Sequence, residues 1–495
     1  MKRRLFLSTA VIAAGTSALS VATAVSAQAR PLGPATQQGG AAARTFGLRM
    51  AGVVPVSTVS ELRTALTSAV PGDTITVANG SYAVPASAPI AVTNVQGTAA
   101  APVTVVSASR GGAVFTSEAS FVFSGSAYVT VSGFSFRQST TLEIAPDNHH
   151  IRLTRNDFQF ADIEGLLNVM VRADDTKIDR NHFHGKSTLG VYLGVEGAGT
   201  TEMAQRVYIF RNYFSDHSYP GDNGGEPIRL GVSPRALSSA NATVEFNLFE
   251  RCNGDPEAIS VKSSDNTIRY NTIRNSKGGI VLRHGNRNRI DGNFLLDGPN
   301  GVRIYGNDHL IVNNHLAGVS GAAVVIGKGT ERDHLPDEDP AARRGNDAPD
   351  RVQISLNTLV SNASGIIGET SRPEEPRDLV ITDNVIVGDT GLLADVQQSS
   401  GFLWKGNLLW GAAANGNIPT TGFSRANPGL TMASDGIARP GAGSPVINAA
   451  SRSYPLVPAD INGVARVGIA DLGSHEVGSA VRSPLSPALV GPNAA

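Results

Sequence analysis

"NTIRYNTIRNSKGGIVLRHGNRNRIDGNFLLDGPNGVRIYGN", residues 266–307, contains one short phrase twice. The phrase consists of two or three β-forming residues, a turn-prone pair, an asparagine and an apolar residue. It occurs around Asn271 and again around Asn293. The apolar residues between the two asparagines show no helical period, which favours short β-strands. The repeat therefore predicts that the chain forms stacked coils.

The same phrase recurs along most of the chain, at irregular distances. Successive asparagines lie 21 to 43 residues apart, as expected if each repeat is one coil into which loops are inserted. Asparagine tolerates left-handed backbone at a turn, and stacked asparagines can form a ladder between coils about 4.8 Å apart. The predicted fold class is all-β, a single parallel β-helix, because a β-propeller needs longer units of nearly constant length. The repeat asparagines are Asn156, Asn181, Asn212, Asn247, Asn271, Asn293, Asn314, Asn357, Asn384 and Asn407.

The regions at the two ends of the repeat complete the predicted domain, residues 51–476. "SELRTALTSAV", residues 60–70, is amphipathic and predicts a helix that caps the open end of the first coil, where edge groups would otherwise stay unpaired. The charged, proline-containing stretch 328–350 predicts a long loop, and we favour a solvated insertion over a substrate-covering lid. Residues 477–495 predict a flexible tail.

The N-terminus predicts an exported protein. Residues 1–29 combine a basic start, an apolar run and a small-residue cleavage site, as in a signal peptide, and the arginine pair also resembles a twin-arginine signal. Residues 30–50 predict a flexible leader. No later stretch has the ~20 apolar residues of a membrane span, so we expect a secreted or periplasmic protein without a membrane partner. We also expect a monomer, with the single cysteine, Cys252, as a small buried hydrophobe.

The charge balance excludes a global attraction for polyanions. The formal net charge is −1, so we expect no nucleic-acid partner, and any attraction for an acidic substrate must be local. One local cluster emerges when the coils are aligned by their inward apolar positions. Ile259 and Ile280 then stack, which places Lys262 and Arg283 side by side on the outer face of one sheet.

Acidic and further basic residues join this cluster in the same alignment. Glu226 and Glu257 stack one coil apart, and Arg303 and Tyr305 lie outward in the following coil. The stacked glutamates would repel one another unless a positive charge lies between them. That charge is either Lys262 or a hard cation bound by carboxylate and asparagine oxygens.

Two observations leave this cluster open to other interpretations. Glu257 has the same parity as the inward Ile259, so a bulge or corner must turn it outward. Charges on a surface also commonly form ion pairs without a function. The residue pattern by itself favours neither interpretation.

Four stretches around the cluster resemble polysaccharide lyase family 6, the family of alginate lyases and chondroitinase B. The similarity is strongest over residues 220–310, and a weaker likeness covers 55–475. Lys262 and Arg283, 21 residues apart, are its most specific element. The stretches are DNGGEPIRLG, NGDPEAISVKSSDNTIRYNTI, GGIVLRHGNRNRIDGNF and NGVRIYGN.

The resemblance implies a right-handed β-helix that cleaves uronate-containing polysaccharides by β-elimination. It implies Lys262 as the base and Arg283 as the acid or charge stabiliser. It also implies a calcium ion bound by Asn223, Asp255 and Glu257, although Asp255 replaces the glutamate usual in the family. The remaining residues of the cluster would position the sugar: His284, Arg303, Tyr305 and Glu226.

Alginate is the substrate that the resemblance favours, and chondroitin or dermatan sulfate is the alternative. A glycoside hydrolase on the same fold would need two carboxylates beside the scissile bond, which could come from Glu226, Asp255 and Glu257. Hydrolysis gives no reason for Lys262 and Arg283 at equivalent places in adjacent coils. A carbohydrate-binding protein without activity would be expected to expose more aromatic residues than two Trp and nine Tyr supply.

Overall fold

The computed structural model describes residues 50–397, 400–478 and 480–495. The predicted signal peptide and all but the last residue of the predicted leader lie outside these ranges. Three long parallel sheets run through the described residues, so the predicted parallel β-helix is confirmed. No helix in the described ranges is long and apolar enough to cross a bilayer.

Most coils of the β-helix contribute one strand to each of three sheets, which we name A, B and C in chain order. The strands of sheet A are Val53–Val56, Thr74–Val77, Val103–Ser107, Val129–Ser132, Arg152–Thr154, Lys177–Asp179, Tyr208–Phe210, Thr243–Glu245, Thr267–Arg269, Arg289–Asp291, Leu310–Val312, Gln353–Ser355, Val380–Thr382 and Leu403–Lys405. The strands of sheet B are Gly80–Val84, Ala113–Ser117, Ser135–Phe136, Asp157–Phe158, His182–Phe183, Tyr213–His217, Leu248–Cys252, Thr272–Arg274, Phe294–Leu296, His315–Ala317, Thr358–Val360, Val385–Val387, Asn407–Trp410 and Phe423–Arg425. The strands of sheet C are Ile90–Thr93, Phe121–Ser124, Leu142–Ile144, Val169–Val171, Leu193–Val195, Ile228–Leu230, Glu257–Lys262, Gly279–His284, Val302–Ile304, Ala322–Ile326, Ser364–Gly368 and Ala394–Asp395.

The predicted capping helix is present as Val59–Thr67. Thr58 begins it with a capping box, since its hydroxyl accepts from the backbone N–H of Glu61 and the Glu61 carboxylate accepts from the N–H of Thr58. Leu62 and Leu66 are buried on the face toward the first coils. The apolar spacing therefore places the helix over the open end of the core.

The core consists of inward side chains that stack from coil to coil. In sheet C, Ile228 pairs with Ile259 and Ile259 with Ile280, which confirms the predicted register. In sheet B, five phenylalanine rings stack at centroid distances of 4.7–4.9 Å. Because successive residues of a strand point to opposite faces, the residues beside these phenylalanines point outward. The five are Phe136, Phe158, Phe183, Phe214 and Phe249.

The predicted asparagine ladder is present at the corner between sheets A and B. Each repeat asparagine from Asn156 to Asn384 donates from its side chain to the Oδ1 of the next one, at 2.9–3.1 Å. The predicted left-handed backbone, however, belongs to the preceding residue, as at Arg155 and Tyr270. The asparagine is needed for its buried amide, which satisfies backbone groups of neighbouring coils.

The C-terminal part of the chain departs from the prediction in two ways. The coils end at Phe423–Arg425, short of residue 476, and the following residues pack outside the β-helix with an antiparallel strand pair, Leu430–Met432 and Ala438–Pro440. The predicted flexible tail is hydrogen-bonded to the coils. Arg155 donates to the carbonyl of Ala494, and Val490 is buried. Buried apolar side chains and paired backbone groups hold this segment in place.

This outer segment covers His315, which predicts a pH-dependent stability. Burial, and secondarily the positive charge of Arg439, lowers the pKa of His315 to about 3, and neither ring nitrogen has a hydrogen-bond partner. In the unfolded chain the imidazole titrates near 6.5. Because the folded-state pKa is the lower one, this contribution to stability is complete above pH 6.5 and is lost as the pH falls toward 3. His315→Leu should stabilise the protein by about 2 kcal/mol more at pH 5 than at pH 7.

Urea unfolding of His315→Leu and wild type at both pH values measures this difference. Both proteins contain the other buried histidines, so the effect of their titration cancels when the two proteins are compared. An equal effect of the substitution at the two pH values would contradict the prediction.

Candidate active site

A groove of 940 Å³ lies along the outer face of sheet C. Five cationic and two acidic side chains line it, so it is locally basic in a chain of net charge −1. Because the net charge gives no global attraction for an acidic ligand, such an attraction must be local, and the groove provides it. The lining residues are Asp222, Asn223, Ser233, Pro256, Glu257, Lys262, Lys277, Arg283, His284, Pro299, Asn300, Arg303 and Arg344.

Lys262 and Arg283 come from adjacent strands, at the carboxyl end of each. Val261 pairs with Leu282 as predicted, but the register then shifts, and Lys262 pairs with His284. Arg283 therefore lies opposite the irregularity. Both side chains line the same groove, as predicted when the coils are aligned by their inward apolar residues.

The Lys262 amine contacts the carboxylate of Glu226, which the family resemblance assigns to substrate binding. Lys262 Nζ donates to Glu226 Oε1 at 3.3 Å. Glu226 is only 2% exposed, and its second oxygen, Oε2, is buried without a hydrogen-bond partner. Glu226 therefore holds the amine in place from beneath the groove and has little surface to offer a sugar.

The bulge that the parity of Glu257 requires is present. The pairing of the two strands shifts between Glu257 and Ile259. This turns the Glu257 carboxylate to the outer face, where it accepts from the hydroxyl of Ser260 and lies 3.8 Å from Arg303. Glu257 and Ser260 thus share the face of sheet C that carries the groove.

Asp255 is a buried carboxylate whose charge is influenced by Glu226 and Glu257. Its oxygens accept from the backbone N–H groups of Gly225 and Glu257 at 3.3 and 2.9 Å. Burial, and then the negative charges of Glu226 and Glu257, raise the pKa of Asp255 to about 7. Asp255 itself has only backbone N–H groups as hydrogen-bond donors.

The donor set fits the calcium ion that the resemblance implies. Carboxylate oxygens, among them the buried and unpartnered Oε2 of Glu226, are ligands that a hard divalent cation prefers. Asn223 is exposed at the edge of the groove and offers an amide oxygen. Asn223, Asp255 and Glu257 are the residues that would hold the ion.

The other predicted substrate-binding residues differ in how far the groove exposes them. Arg303 lines it with a partly exposed guanidinium. His284 is 3% exposed, its Nε2 lies 3.1 Å from the Ser233 hydroxyl, and burial together with the charges of Arg283 and Lys262 lowers its pKa to about 3. His284 is therefore a neutral hydrogen-bonding group.

Tyr305 is fully buried and not part of the exposed surface that the alignment suggests. Its hydroxyl donates to Glu369 Oε1 at 2.6 Å and accepts from Arg372 at 3.1 Å. The Arg283 guanidinium lies over the ring, 6.0 Å from its centroid. Tyr305 therefore supports Arg283 from below and contacts no solvent in the groove.

The insertion 328–350 docks beside the groove and contributes Arg344 to its lining, whereas the sequence favours a solvated loop. Arg343 is buried and donates to the carbonyl of Pro234, which fixes the short 3₁₀ turn Ala342–Arg344 against the turn at Ser233–Arg235. Arg344 lines the groove beside it. Charge and proline content indicate exposure, but they do not reveal such a docking contact.

Lys277 also lines the groove, although it is not among the predicted site residues. It lies two residues before the strand that carries Arg283. Its amine donates to the carbonyl of Gly221 at 2.8 Å and pairs with Asp222. The contact joins the loop that carries Asn223 to the second coil after it. The sequence signal for Lys277 is its position directly before GGIVLRH, the stretch that carries Arg283.

The fold and the groove together define a class of protein, a parallel β-helix with an open and mainly cationic groove along one sheet. The family model Chondroitinase B matches residues 56–325, which is more than half of the chain. The chain therefore belongs to the chondroitinase B family, polysaccharide lyase family 6. No curated protein sequence matches it.

Solved structures with similar folds belong to the same family. The PL6 family alginate lyase AlyGC is 28% identical with a TM-score of 0.70, and the match covers 79% of this chain and 56% of the AlyGC chain. This chain thus spans little more than half of that protein. A mannuronic acid specific family 6 lyase from human gut microbiota (22% identity, TM-score 0.67) covers 76% of this chain and 91% of its own. The family 6 polysaccharide lyase Pedsa3628 from Pseudopedobacter saltans is 23% identical with a TM-score of 0.65. That match covers 89% of this chain and 99% of the Pedsa3628 chain.

Proposed function

We propose that this protein is a polysaccharide lyase that cleaves a uronate-containing polymer by β-elimination. The observation that carries the proposal is the placement of Lys262 and Arg283 on adjacent strands, in a groove with five cationic side chains. An extended polyanion fits an open, basic groove better than a small ligand does. Hydrolysis by two carboxylates gives this lysine–arginine pair no role.

In the proposed reaction the neutral amine of Lys262 removes the proton from C5 of the uronate. The electron pair left at C5 forms the double bond to C4, and the bond from C4 to the glycosidic oxygen breaks. That oxygen takes up a proton from solvent or from a sugar hydroxyl. The charge of Arg283 stabilises the negative charge that develops on the uronate carboxylate.

Glu226 gives Lys262 a defined position before the substrate arrives. The ion pair at 3.3 Å orients the amine toward the groove. The amine must be free of its extra proton before it can accept the one from C5. A calcium ion held by Asn223, Asp255 and Glu257 would neutralise the uronate carboxylate and so ease removal of the C5 proton.

Alginate is the proposed substrate, and dermatan sulfate is the second candidate. The name of AlyGC, the 28% identical structure, supports alginate, whereas the name of the matching family model supports a chondroitin-type polymer. Both polymers carry the uronate carboxylate that the groove would bind. The proposed signal peptide would bring the enzyme to such polymers outside the cytoplasm.

An assay with each polymer tests the proposal. Purified protein is incubated with alginate and, separately, with dermatan sulfate, and the ultraviolet absorbance of the unsaturated uronate is followed with and without chelator. Rising absorbance with alginate is expected, and its loss with chelator would support the calcium site. New reducing ends without that absorbance would indicate a hydrolase, and cleavage of dermatan sulfate alone would reassign the substrate.

A further inference from the structure

Two histidines and an aspartate meet on the outward face of sheet B, a different face of the β-helix from the groove. Asp157 and His182 pair in register on neighbouring strands, and His184 follows His182 by two residues. Phe158 and Phe183 are the inward residues of the same strands, and their stacked rings fix the backbone beneath the cluster. The three side chains are therefore carried by a rigid part of the fold.

The possible ligand atoms converge on one point. His184 Nε2 lies 2.9 Å from Asp157 Oδ1, and His182 Nδ1 lies 3.6 Å from the same oxygen. One such atom from each residue lies within 4.8 Å of the other two. Bonds of about 2.0–2.2 Å to a tetrahedral ion place ligand atoms roughly 3.3–3.5 Å apart. The observed separations lie on either side of that value.

Neighbouring groups orient these atoms from the outside. His182 Nε2 lies 2.9 Å from the Ser215 hydroxyl, so this nitrogen has a hydrogen-bond partner outside the cluster. The other nitrogen, Nδ1, faces Asp157 and is the one available as a metal ligand.

Aromatic and cationic neighbours complete the support. The Tyr213 ring stacks on His182 at 4.6 Å, and the His182 and His184 rings stack at 4.0 Å. Arg137 pairs with the other oxygen of Asp157, which leaves Oδ1 toward the histidines. Two imidazoles therefore share one charged oxygen, and a cation placed between them would satisfy all three groups.

We propose that Asp157, His182 and His184 form a binding site for a divalent transition-metal ion, best suited to zinc. Two imidazole nitrogens and one carboxylate oxygen are ligands that zinc prefers, whereas calcium prefers oxygen ligands only. The side chains are 20–24% exposed, which leaves access for a water as fourth ligand. The ion would link two consecutive coils and stabilise the β-helix without contacting the groove.

Metal binding and thermal unfolding of the full chain, prepared without a histidine tag, test this site. The protein is stripped with chelator, dialysed and titrated with zinc by calorimetry, and the visible absorption of added cobalt reports tetrahedral nitrogen and oxygen coordination. We expect about one zinc per chain and a higher Tm with zinc than with calcium. His184→Ala and His182→Gln should each weaken zinc binding about tenfold or more.

His150→Ala is the matched control, because it removes a partly exposed histidine, in the bend before the sheet A strand Arg152–Thr154, that also has a histidine neighbour, His149. This variant should bind zinc as wild type does. Zinc binding that His184→Ala and His182→Gln leave unchanged, or that His150→Ala abolishes, would overturn the proposal. Absence of binding to the wild-type chain would overturn it as well. None of these readouts depends on lyase activity.

Discussion

Lys262→Ala should lower kcat by about 10²- to 10⁴-fold, the usual contribution of a positioned general base. The methyl group cannot accept the C5 proton, while the groove keeps its other cationic side chains. Binding of the polymer should therefore change much less than turnover. The initial rate of ultraviolet absorbance increase, measured over a range of alginate concentrations, separates the two effects.

Lys177→Ala is the matched control for this prediction. Lys177 is an exposed lysine on sheet A, so its loss changes the net charge equally but leaves the groove intact. A small primary amine added to Lys262→Ala should restore part of the rate, since it can enter the space that the side chain leaves. Lyase activity of Lys262→Ala close to that of wild type would reject the assignment of the base.

Asn271→Ala should lower the free energy of unfolding by about 3–5 kcal/mol, because several buried hydrogen bonds are lost at once. The Asn271 side chain donates to the carbonyl of Val244 and to Asn293 Oδ1, and its own oxygen accepts two bonds from Asn247. Alanine leaves these buried partners unsatisfied in the middle of the ladder. Urea unfolding followed by circular dichroism gives the difference.

Asn253→Ala serves as the comparison within the same part of the chain. Asn253 is exposed and accepts one bond, from the backbone N–H of Lys277, so its replacement should cost less than about 1 kcal/mol. Equal effects of the two substitutions would mean that burial in the ladder adds nothing to stability.

The sequence allows the coil register and the asparagine ladder to be predicted, because both repeat. Alternation of apolar residues fixes which side chains point inward, and the minimum spacing of the asparagines fixes the length of one coil. The same alignment brings Lys262 and Arg283 together. It even requires the irregularity at Glu257, since its parity conflicts with that of Ile259.

The features that sequence analysis gets wrong depend on contacts without a period. Tyr305 is buried because Glu369 and Arg372, more than 60 residues away, bind its hydroxyl. The tail docks through single hydrogen bonds to coils that are far away in the sequence, as between Arg155 and Ala494. By contrast, the ion pair of Lys262 with Glu226 is one of the two charge arrangements that the stacked glutamates allow from the sequence.

The position of the ladder also determines where this scaffold can vary. The shortest steps of the ladder span 21 residues and the longest, from Asn314 to Asn357, spans 43. The additional residues leave and rejoin the coil beside the sheet C strand, here as the insertion 328–350. Since each doubling of a flexible loop costs only about 0.6 kcal/mol, loops beside sheet C can lengthen or be exchanged while the core register persists. Descendants of one such chain can therefore acquire new polymer preferences without having to evolve a new fold.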